Sequence, residues 1–581
     1  MKSAALLFIF LLSHLGYGLW VKKWMRMPWT LVSLFVISLE SLVLYLGALL
    51  GGLPFFIYGV FGLGLIALVA GLVLSPRQEF KGKLDWRLVT LGVMFLFGVW
   101  YLSKNGFYHN DDFSHWGTMV KFLYQEGRLP QAGDKLISFY IYPPTTALFV
   151  DYFVTMVGFS EGHMLVGQFL IILSSLSAIF SLKDRPKTVL PYLSQVAMVG
   201  FFLLTLHDSL LTTLMVDSLL ALIALASLAY IRYYSQNKVY QVISVSVILN
   251  FLCLVKRSAL ILVIFSLVYY AYSLRYSDVG KSLKRKCLAF VGVFSFLGYF
   301  LWEAHIKANF SQLGHAKHAV SAANKTGDFY RGILQKFVAQ VLNWHTLSFR
   351  SLALLIVMIG GVWIISRYWF KEGMHLKKVV FSLLTILGVY WIGLLATYWF
   401  AMPIEDAVRI ATYGRYMETI LIYMSGIYFM TLNDYLSQVD KEEMTGFKFG
   451  IIGLMLGVFL LGSFHKAYTE YHSAAEGLYS QPRQIRGLLA DKSLKAHQRY
   501  LVVTGDISSD RFYYYVCAHY FWTPEVHISS HDFHAEDLQK VDKVLVLQPR
   551  NESFQTYCKT HLSKEVSPGL YEAGTLLGDK K

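Results

Sequence analysis

The chain has 581 residues, of which 55% are hydrophobic and only 15% charged, and its mean hydropathy is +0.47. About a quarter of the residues of soluble proteins are charged, so this composition excludes a water-soluble globule. The formal charge of +15 does not indicate nucleic-acid binding, because Lys and Arg lie in short segments between apolar runs. Many of those runs are long enough to cross a bilayer. The composition therefore predicts an integral membrane protein.

Basic clusters between the apolar runs predict how the chain is threaded. Because Lys and Arg accumulate on the cytoplasmic side, we place the strongest clusters there, at residues 22–26, 77–87, 183–187, 275–286 and 367–378. The apolar runs then predict about fourteen crossings, at 3–20, 30–50, 53–75, 88–103, 162–182, 188–206, 210–231, 239–255, 258–274, 287–304, 347–366, 379–400, 413–433 and 449–465. We interpret the first run as a retained span, and Glu40 in the second as facing other helices.

The segments too polar to cross divide the chain into predicted domains. Outer loops are expected at 104–146, 305–346 and 401–412. The apolar segment 147–158 is too short to cross, so it is expected to lie at the interface or to re-enter shallowly. From residue 466 the runs "RYLVVTGD" and "VDKVLVLQPR" read as short buried strands. The prediction is an all-α polytopic membrane protein of about 13–14 transmembrane helices. A small extracytoplasmic α/β domain, 466–581, follows, and Cys517 and Cys558 could pair there.

A pair of acids on the first outer loop is the most informative feature. Asp111 and Asp112 stand side by side in "YHNDDFSHWGTMVKFL", and adjacent carboxylates repel unless a cation, proton or metal offsets them. They are either incidental acids of a solvated loop or part of a site. The amphipathic run from Trp116 to Leu123 favours a site, because it can hold a short helix, and the acids, at the lipid surface.

Charged residues within or between spans are further candidates. Asp217 in "MVDSLLAL" lies inside an apolar span, so it is either functional or a helix-packing group. Lys256 and Arg257 mark a tight outer turn and either bind an anionic partner or reach lipid headgroups. Arg409 and Arg415 begin the thirteenth span on the same side, where they either bind phosphate or pair with neighbouring acids.

In their order along the chain, these motifs resemble those of the GT-C superfamily, integral-membrane glycosyltransferases that use polyprenyl-phosphate donors. Examples are the protein O-mannosyltransferases and the aminoarabinose transferase of lipid A. The acid pair resembles that of the family's first outer loop, and "YPP" at Tyr142 resembles a later motif of that loop. Likewise "MVDSLLAL", "LVKRSAL" and "YGRYM" resemble its acidic stretch, its phosphate-contacting lysine turn and its late "RY". The resemblance covers about residues 88–465 and leaves 1–87 as additional helices.

The resemblance implies an inverting sugar transfer on the extracytoplasmic side of a bacterial plasma membrane. Asp111 matches the family's catalytic base, and Asp112 stands where Glu is frequent in the family. Lys256, Arg257 and Arg415 would bind the donor phosphate. Asp112 and Asp217 would hold Mg or Mn if a divalent cation is used. The acceptor is expected to be an envelope polysaccharide or teichoic acid, and the supporting residues are His115, Tyr142, Asp217 and Arg409.

Two other functions fit a polytopic protein with these residues. In a transporter or flippase for a lipid-linked saccharide, intramembrane Asp217 would be a coupling or substrate site. Such proteins often contain repeats with matching broken helices, and the two halves of this sequence show no such pairing. A polysaccharide polymerase or ligase would share the topology, but it is expected to use arginines in large late loops rather than an early acid pair.

Overall fold

The computed structural model describes residues 2–74, 85–182, 186, 188–206, 211–311, 325, 327–369, 376–438, 448–475, 480–490, 492, 498–505, 510–530, 532–548, 551–562 and 566–577. Most of the basic clusters predicted at 77–87 and 183–187, and the middle of that at 367–378, lie outside these residues. Their assignment to the cytoplasm stays a prediction from sequence.

Helices make up most of the described chain as far as residue 475, as expected where the backbone must satisfy its own hydrogen bonds in lipid. Their bounds are α1 Lys2–Met25, α2 Trp29–Leu49, α3 Leu53–Leu74, α4 Trp86–Leu102, α5 Gly117–Glu126, α6 Thr145–Val157, α7 Glu161–Ile179, α8 Leu190–Thr205, α9 Asp217–Tyr233, α10 Lys238–Cys253, α11 Leu260–Arg275, α12 Lys281–Phe310, α13 Gly327–Val341, α14 Leu347–Trp369, α15 Lys377–Ala396, α16 Ile404–Val408, α17 Tyr413–Gln438 and α18 Lys448–Ala475.

Eight helices within the described residues are long and apolar enough to cross a membrane. They are α1, α2, α3, α7, α11 with the 3-10 turn before it, α12, α14 and α15. Helices α4, α8 and α10 are also apolar but have only 16 or 17 residues. An all-helical polytopic membrane protein is therefore confirmed, whereas the count of about fourteen crossings stays a prediction.

Helix α9 lies at the centre of the bundle. Most of its side chains are buried, and it contacts α7, α10, α11 and α17. Helices α8 and α18 cross closely at one side of the bundle, where a Cβ on Gly462 would lie 2.0 Å from the backbone oxygen of Gly200. Only glycine permits that approach. The close crossing brings α18, the last helix before the C-terminal domain, against the bundle.

The first three helices pack against the rest of the bundle. Glu40 is buried, and its Oε2 lies 3.2 Å from Nδ1 of His14, which confirms that it faces protein rather than lipid. The hydroxyls of Ser33 on α2 and Ser174 on α7 are 2.7 Å apart. Tyr45 donates a hydrogen bond to the backbone oxygen of Gly298 on α12, 3.1 Å away. Helix α2 is thereby bonded to both α7 and α12.

Two short helices predicted at the lipid interface are covered by protein. The apolar side chains of α5, Met119 to Leu123 among them, are buried, as are all but two residues of α6. They contact each other, and α6 also contacts α1, α2 and α7. The segment predicted at 147–158 forms the 13-residue helix α6, and its depth in the membrane stays a prediction. That protein covers it was not predicted, because an apolar helix face does not specify whether lipid or protein will cover it.

The C-terminal domain is a small α/β unit, as predicted. Its parallel strands β1 Tyr500–Val503, β2 Val526–Ser529 and β3 Lys543–Val546 and its antiparallel strand β4 Gly569–Glu572 form a sheet of order β2-β1-β3-β4. The helices of this region are α19 Gln481–Leu489, α20 Asp510–Phe521, α21 Ala535–Gln539, α22 Glu552–His561 and α23 Ala573–Leu576. Cys517 and Cys558 are buried and unbridged, in separate apolar clusters.

Candidate active site

The acid pair lies where the loop after α4 turns into a short π-helix, Asp112–Trp116, that leads directly into α5. The two neighbours have opposite surroundings. Asp112 is completely buried, whereas the side chain of Asp111 keeps 30% of its surface exposed. Solvent can therefore reach Asp111 but not Asp112.

Asp111 is paired with an arginine from the far end of the chain. Nη1 of Arg415, on the first turn of α17, donates to Oδ2 of Asp111 at 2.5 Å, although 304 residues separate the two. Burial opposes ionisation of Asp111, but the charges of Arg415, His109 and Lys256 outweigh it and hold the pKa of this carboxyl below its ordinary value. Asp111 is therefore a carboxylate at neutral pH.

A second ion pair lies deeper. Nζ of Lys256 donates to Oδ1 of Asp217 at 2.6 Å, and both side chains are nearly inaccessible. Lys256 occupies the tight turn between α10 and α11, as the sequence predicted. The hydroxyl of Thr145, directly after the two prolines, donates to the backbone oxygen of Leu254 at 2.8 Å and fixes that turn. A buried charge needs such a partner, and each member of the pair supplies it for the other.

Asp217 differs in position from the prediction. The span was expected from residue 210, with Asp217 about two turns inside, but α9 begins at Asp217 itself. A carboxylate is favourable at a helix N-terminus because it faces unsatisfied backbone N–H groups. The preceding residues adopt a non-helical path and turn their polar groups toward the acid pair.

Asp112 is held by those residues. Its Oδ1 accepts a hydrogen bond from the hydroxyl of Thr213 at 3.0 Å and from the backbone N–H of Leu214 at 2.8 Å. Burial raises the pKa of Asp112 well above its ordinary value, and the negative charges of Asp111 and Glu161 raise it further. The two hydrogen bonds act in the opposite direction but are outweighed. Its Oδ2 is buried and has no hydrogen-bond partner among the residues that the structure describes. Asp112 thus keeps its proton to higher pH than an ordinary aspartate, and it ties the π-helix to the start of α9.

Aromatic rings form one wall beside the charges. His115 makes edge contacts with Trp116 and Tyr142, and the rings of Trp116 and Tyr142 are stacked 5.7 Å apart. Nζ of Lys256 lies 5.9 Å from the centre of the Tyr142 ring. Burial lowers the pKa of His115 to about 3, so this imidazole is neutral. His115 and Tyr142 therefore adjoin the ion pairs, as supporting residues would.

Two of the predicted cations lie apart from the others. Nη2 of Arg257 bonds to Oε1 of Glu303 on α12 at 2.6 Å, and neither side chain contacts the acid pair. Arg409 is exposed on the loop before α17. The structure thus brings together Asp111, Asp112, His115, Tyr142, Asp217, Lys256 and Arg415, but not Arg257 or Arg409.

The loop before α17 has an unusual backbone that sets the position of Arg415. Ile410 and Thr412 have positive φ values of 49° and 60°, which are uncommon for β-branched residues. The hydroxyl of Tyr398 donates to the backbone oxygen of Ala411 at 2.8 Å and stabilises the turn between them. Backbone strain of this kind persists where surrounding contacts hold it, often at a functional site.

The arrangement of the acids bears on the optional divalent cation. In the part of the chain that the structure describes, no group of three or more His, Cys, Asp or Glu is placed to hold a metal ion. Asp217 is occupied by Lys256, and one oxygen of Asp112 by Thr213 and Leu214. A cation would have to displace Lys256 to use both acids. Use of Mg or Mn stays a prediction.

Several residues of the site were not predicted from sequence. Thr213 and Leu214 hold Asp112, and Glu303 takes Arg257 away from the cluster. The two threonines in "LLTTLMVD" are a signal that could have identified the first contact, because hydroxyls are uncommon in such an apolar run. Comparison of the chain with family models, with curated proteins and with solved structures finds no significant match.

Proposed function

We propose that this protein is a membrane glycosyltransferase that moves a sugar from a polyprenyl-phosphate donor to an extracytoplasmic acceptor, an envelope polysaccharide or teichoic acid. One observation carries the proposal: two carboxylate–cation pairs, Asp111 with Arg415 and Asp217 with Lys256, converge from four separate segments. They adjoin an aromatic wall near the helix ends. Inverting transfer from a lipid phosphate needs a base, cations for the leaving phosphate, and a lipid-accessible location.

In the proposed reaction Asp111 is the general base. It accepts the proton of an acceptor hydroxyl while that oxygen forms a bond to the anomeric carbon of the sugar. The bond between that carbon and the phosphate oxygen breaks, and polyprenyl phosphate leaves with the electron pair. Arg415 and Lys256 stabilise the charge that develops on the leaving phosphate. A base must lie within hydrogen-bond reach of the hydroxyl, which the partial exposure of Asp111 permits.

Donor binding would also prepare the base. Without substrate Arg415 is bonded to Asp111 and keeps the pKa of that carboxyl low, which makes it a weak base. A phosphate competes for the same guanidinium, because arginine binds phosphate oxygens at least as well as carboxylates. As Arg415 turns to the phosphate, Asp111 loses its compensating charge, and its pKa rises. Deprotonation of the acceptor would then be coupled to the presence of donor.

Asp112 and Asp217 have positioning roles in this account. Asp112 fixes the π-helix from which Asp111 projects, and Asp217 holds Lys256 in the interior until a phosphate arrives. Neither needs to touch the sugar. If a divalent cation takes part, these two acids are its ligands, and it would add positive charge beside the leaving phosphate.

The direct test is sugar transfer by the purified protein in lipid nanodiscs. Polyprenyl phosphates carrying radiolabelled sugars serve as donors, and envelope glycan from a strain that lacks the gene serves as acceptor. Label should move to the glycan. The matched experiment uses sealed vesicles: movement of intact lipid-linked sugar across the membrane without transfer would replace the proposal with a flippase. Envelope composition of the deletion strain identifies the missing sugar.

A further inference from the structure

A cavity lies between the C-terminal domain and the membrane helices. Its volume is about 330 Å³, and its polar lining includes Ser103, Asn105, Lys121, Glu161, Arg486 and Tyr520. None of its lining residues belongs to the proposed active site, although the charge of Glu161 acts on Asp112. It therefore requires an explanation of its own.

The charges of this cavity favour an anion. Arg486 is paired with Glu161 at 2.7 Å, so those two charges compensate each other. Lys121 has no carboxylate partner among the described residues: its Nζ donates to the backbone oxygen of His519 at 2.6 Å and lies over the ring of Trp522. Burial lowers the pKa of Lys121 to about 8, although the negative charge of Glu161 acts to raise it. Because Glu161 is already bonded to Arg486, an anion entering the cavity would give Lys121 a direct partner of its own.

The surroundings place the cavity at the depth of lipid headgroups. It lies where α4 ends and α7 begins, and Trp100, Tyr124 and Phe159 are exposed around it. Exposed aromatic rings at helix ends mark the membrane–water interface. Lys104 lies over the ring of Trp100, with its Nζ 4.6 Å from the ring centre. This pairing of a cation with an exposed aromatic ring suits the same boundary.

An apolar track leads to the cavity along α4. Val93, Leu96, Phe97 and Trp100 are all exposed, and their spacing puts them on one face of the helix. Ser103, which lines the cavity, follows Leu96 and Trp100 on that face. An acyl chain lying on this face would bring its headgroup to Lys121. The geometry points to a binding site for the phosphate headgroup of a membrane phospholipid, between the C-terminal domain and the outer end of α4.

The test measures lipid retention by the full-length protein. Protein is released from nanodiscs of phosphatidylcholine with one fifth phosphatidylglycerol, and native mass spectrometry counts the phosphatidylglycerol that stays bound. Lys121→Gln should lower retention about tenfold or more, because a hydrogen bond to a charged group is lost. Lys121→Arg should retain the lipid. Lys104→Gln is the matched control, since it removes an equal charge at the same depth outside the cavity.

A second variant keeps Lys121 intact. Ser103 is exposed, and its side chain makes no hydrogen bond to any residue that the structure describes, so Ser103→Phe should fill the cavity and lower retention without unfolding the protein. Equal retention in Ser103→Phe, or equal losses in Lys104→Gln and Lys121→Gln, would overturn the proposal. So would displacement of the bound lipid by millimolar inorganic phosphate, which would identify a site for soluble phosphate. Sugar transfer is not the readout, so the result is independent of the proposed catalysis.

Discussion

At the scale of single residues, the two ion pairs differ in depth, and this difference predicts different consequences of substitution. The pair of Asp111 and Arg415 keeps part of its surface exposed, whereas Asp217 and Lys256 are nearly inaccessible. Removing one member of a buried pair leaves an uncompensated charge and costs about 3–5 kcal/mol. A loss of activity at Lys256 must therefore be separated from a loss of stability.

The double variant Lys256→Gln/Asp217→Asn makes that separation. Lys256→Gln alone should lower both the melting temperature and donor use, because it leaves Asp217 unpaired. Replacing both partners should recover most of the melting temperature, since no buried charge is left uncompensated. Donor kcat/KM should stay about tenfold or more below wild type, because the phosphate still lacks its cation. Recovery of both quantities in the double variant would mean that Lys256 is only structural.

Arg257→Gln is the comparison for the same assay. The sequence placed Arg257 with the phosphate-binding residues, but its guanidinium is bonded to Glu303. If the geometry describes the donor site correctly, this variant should keep donor kcat/KM within about twofold of wild type, the usual effect of losing a partly exposed ion pair. A loss as large as that of Lys256→Gln would return Arg257 to the donor site.

The contribution of Asp112 to the stability of the folded protein should depend on pH. Its pKa in the folded protein is raised by burial, so the folded state holds this proton at pH values where the unfolded chain has released it. The stabilising contribution is present at low pH and is lost as pH rises toward the raised pKa. Asp112→Asn keeps a neutral acceptor for Thr213 and Leu214 and cannot ionise. Its melting temperature should therefore decline less than that of wild type between pH 5 and pH 9; parallel curves would contradict the raised pKa of Asp112.

At the scale of elements, the π-helix is held from two sides. Asp112 ties it to the start of α9, and α20 of the C-terminal domain contacts its other side. The hydroxyl of Thr118 donates to the backbone oxygen of Phe113 at 2.5 Å and lies 2.8 Å from Nδ1 of His519. Burial, with Lys121 and Arg486 nearby, holds the pKa of His519 well below its ordinary value, so the ring is neutral. The C-terminal domain thus supports the segment that carries the acid pair.

Thr118→Val tests that support, since it keeps the shape of the side chain and removes both hydrogen bonds. Amide hydrogen exchange in the segment from Phe107 to Glu126 should become faster, and sugar transfer should fall about 2- to 10-fold, as expected for the loss of neutral hydrogen bonds. Thr90→Val is the control, because Thr90 is exposed and bonds only within α4. Unchanged exchange around the π-helix would show that the C-terminal domain does not stabilise the site.

The positions of the helices in the sequence were largely predictable, but what packs against each helix was not. Hydropathy identified the long helices because each must bury its own backbone polar groups in lipid. It did not show that protein rather than lipid covers α6. It also placed the start of α9 too early, at residue 210, because the residues before Asp217 are as apolar as those after it. The acid itself was the available signal, since Asp favours the first turn of a helix.

At the scale of the whole molecule, the site depends on contacts between residues far apart in sequence. Arg415 and Asp111 are separated by 304 residues, and no periodicity in the sequence predicts that they are bonded. The order of the motifs could only suggest that they lie on one side. Which cations join the acid pair depends on helix packing, and for that reason Arg415 could not be distinguished from Arg257 and Arg409 without a structure.

The side of the membrane that each segment faces is a property of the whole molecule, and it can be tested by labelling. Single cysteines placed at the exposed positions Ser103 and Arg409 and in the C-terminal domain should react with a membrane-impermeant maleimide in intact cells. A cysteine at exposed Lys281, within a predicted cytoplasmic cluster, should react only after lysis. The four native cysteines are buried and give a low background. Labelling of the Lys281 position from outside, with protection of Ser103, would place Asp111 in the cytoplasm and end the glycosyltransferase proposal.

The most direct test of the central claim is the turnover of Asp111→Asn with saturating lipid-linked donor. The amide keeps the size of the side chain but cannot accept the proton of the acceptor hydroxyl, so turnover should fall by about 10²–10⁴-fold. Donor binding should be kept or become tighter, because the amide no longer competes with the phosphate for Arg415. Asp134→Asn is the control, because Asp134 is bonded to Arg128 on the same outer loop, away from the site. Near-normal turnover in Asp111→Asn would contradict the account, and loss of turnover in Asp112→Asn instead would assign the base to the buried neighbour.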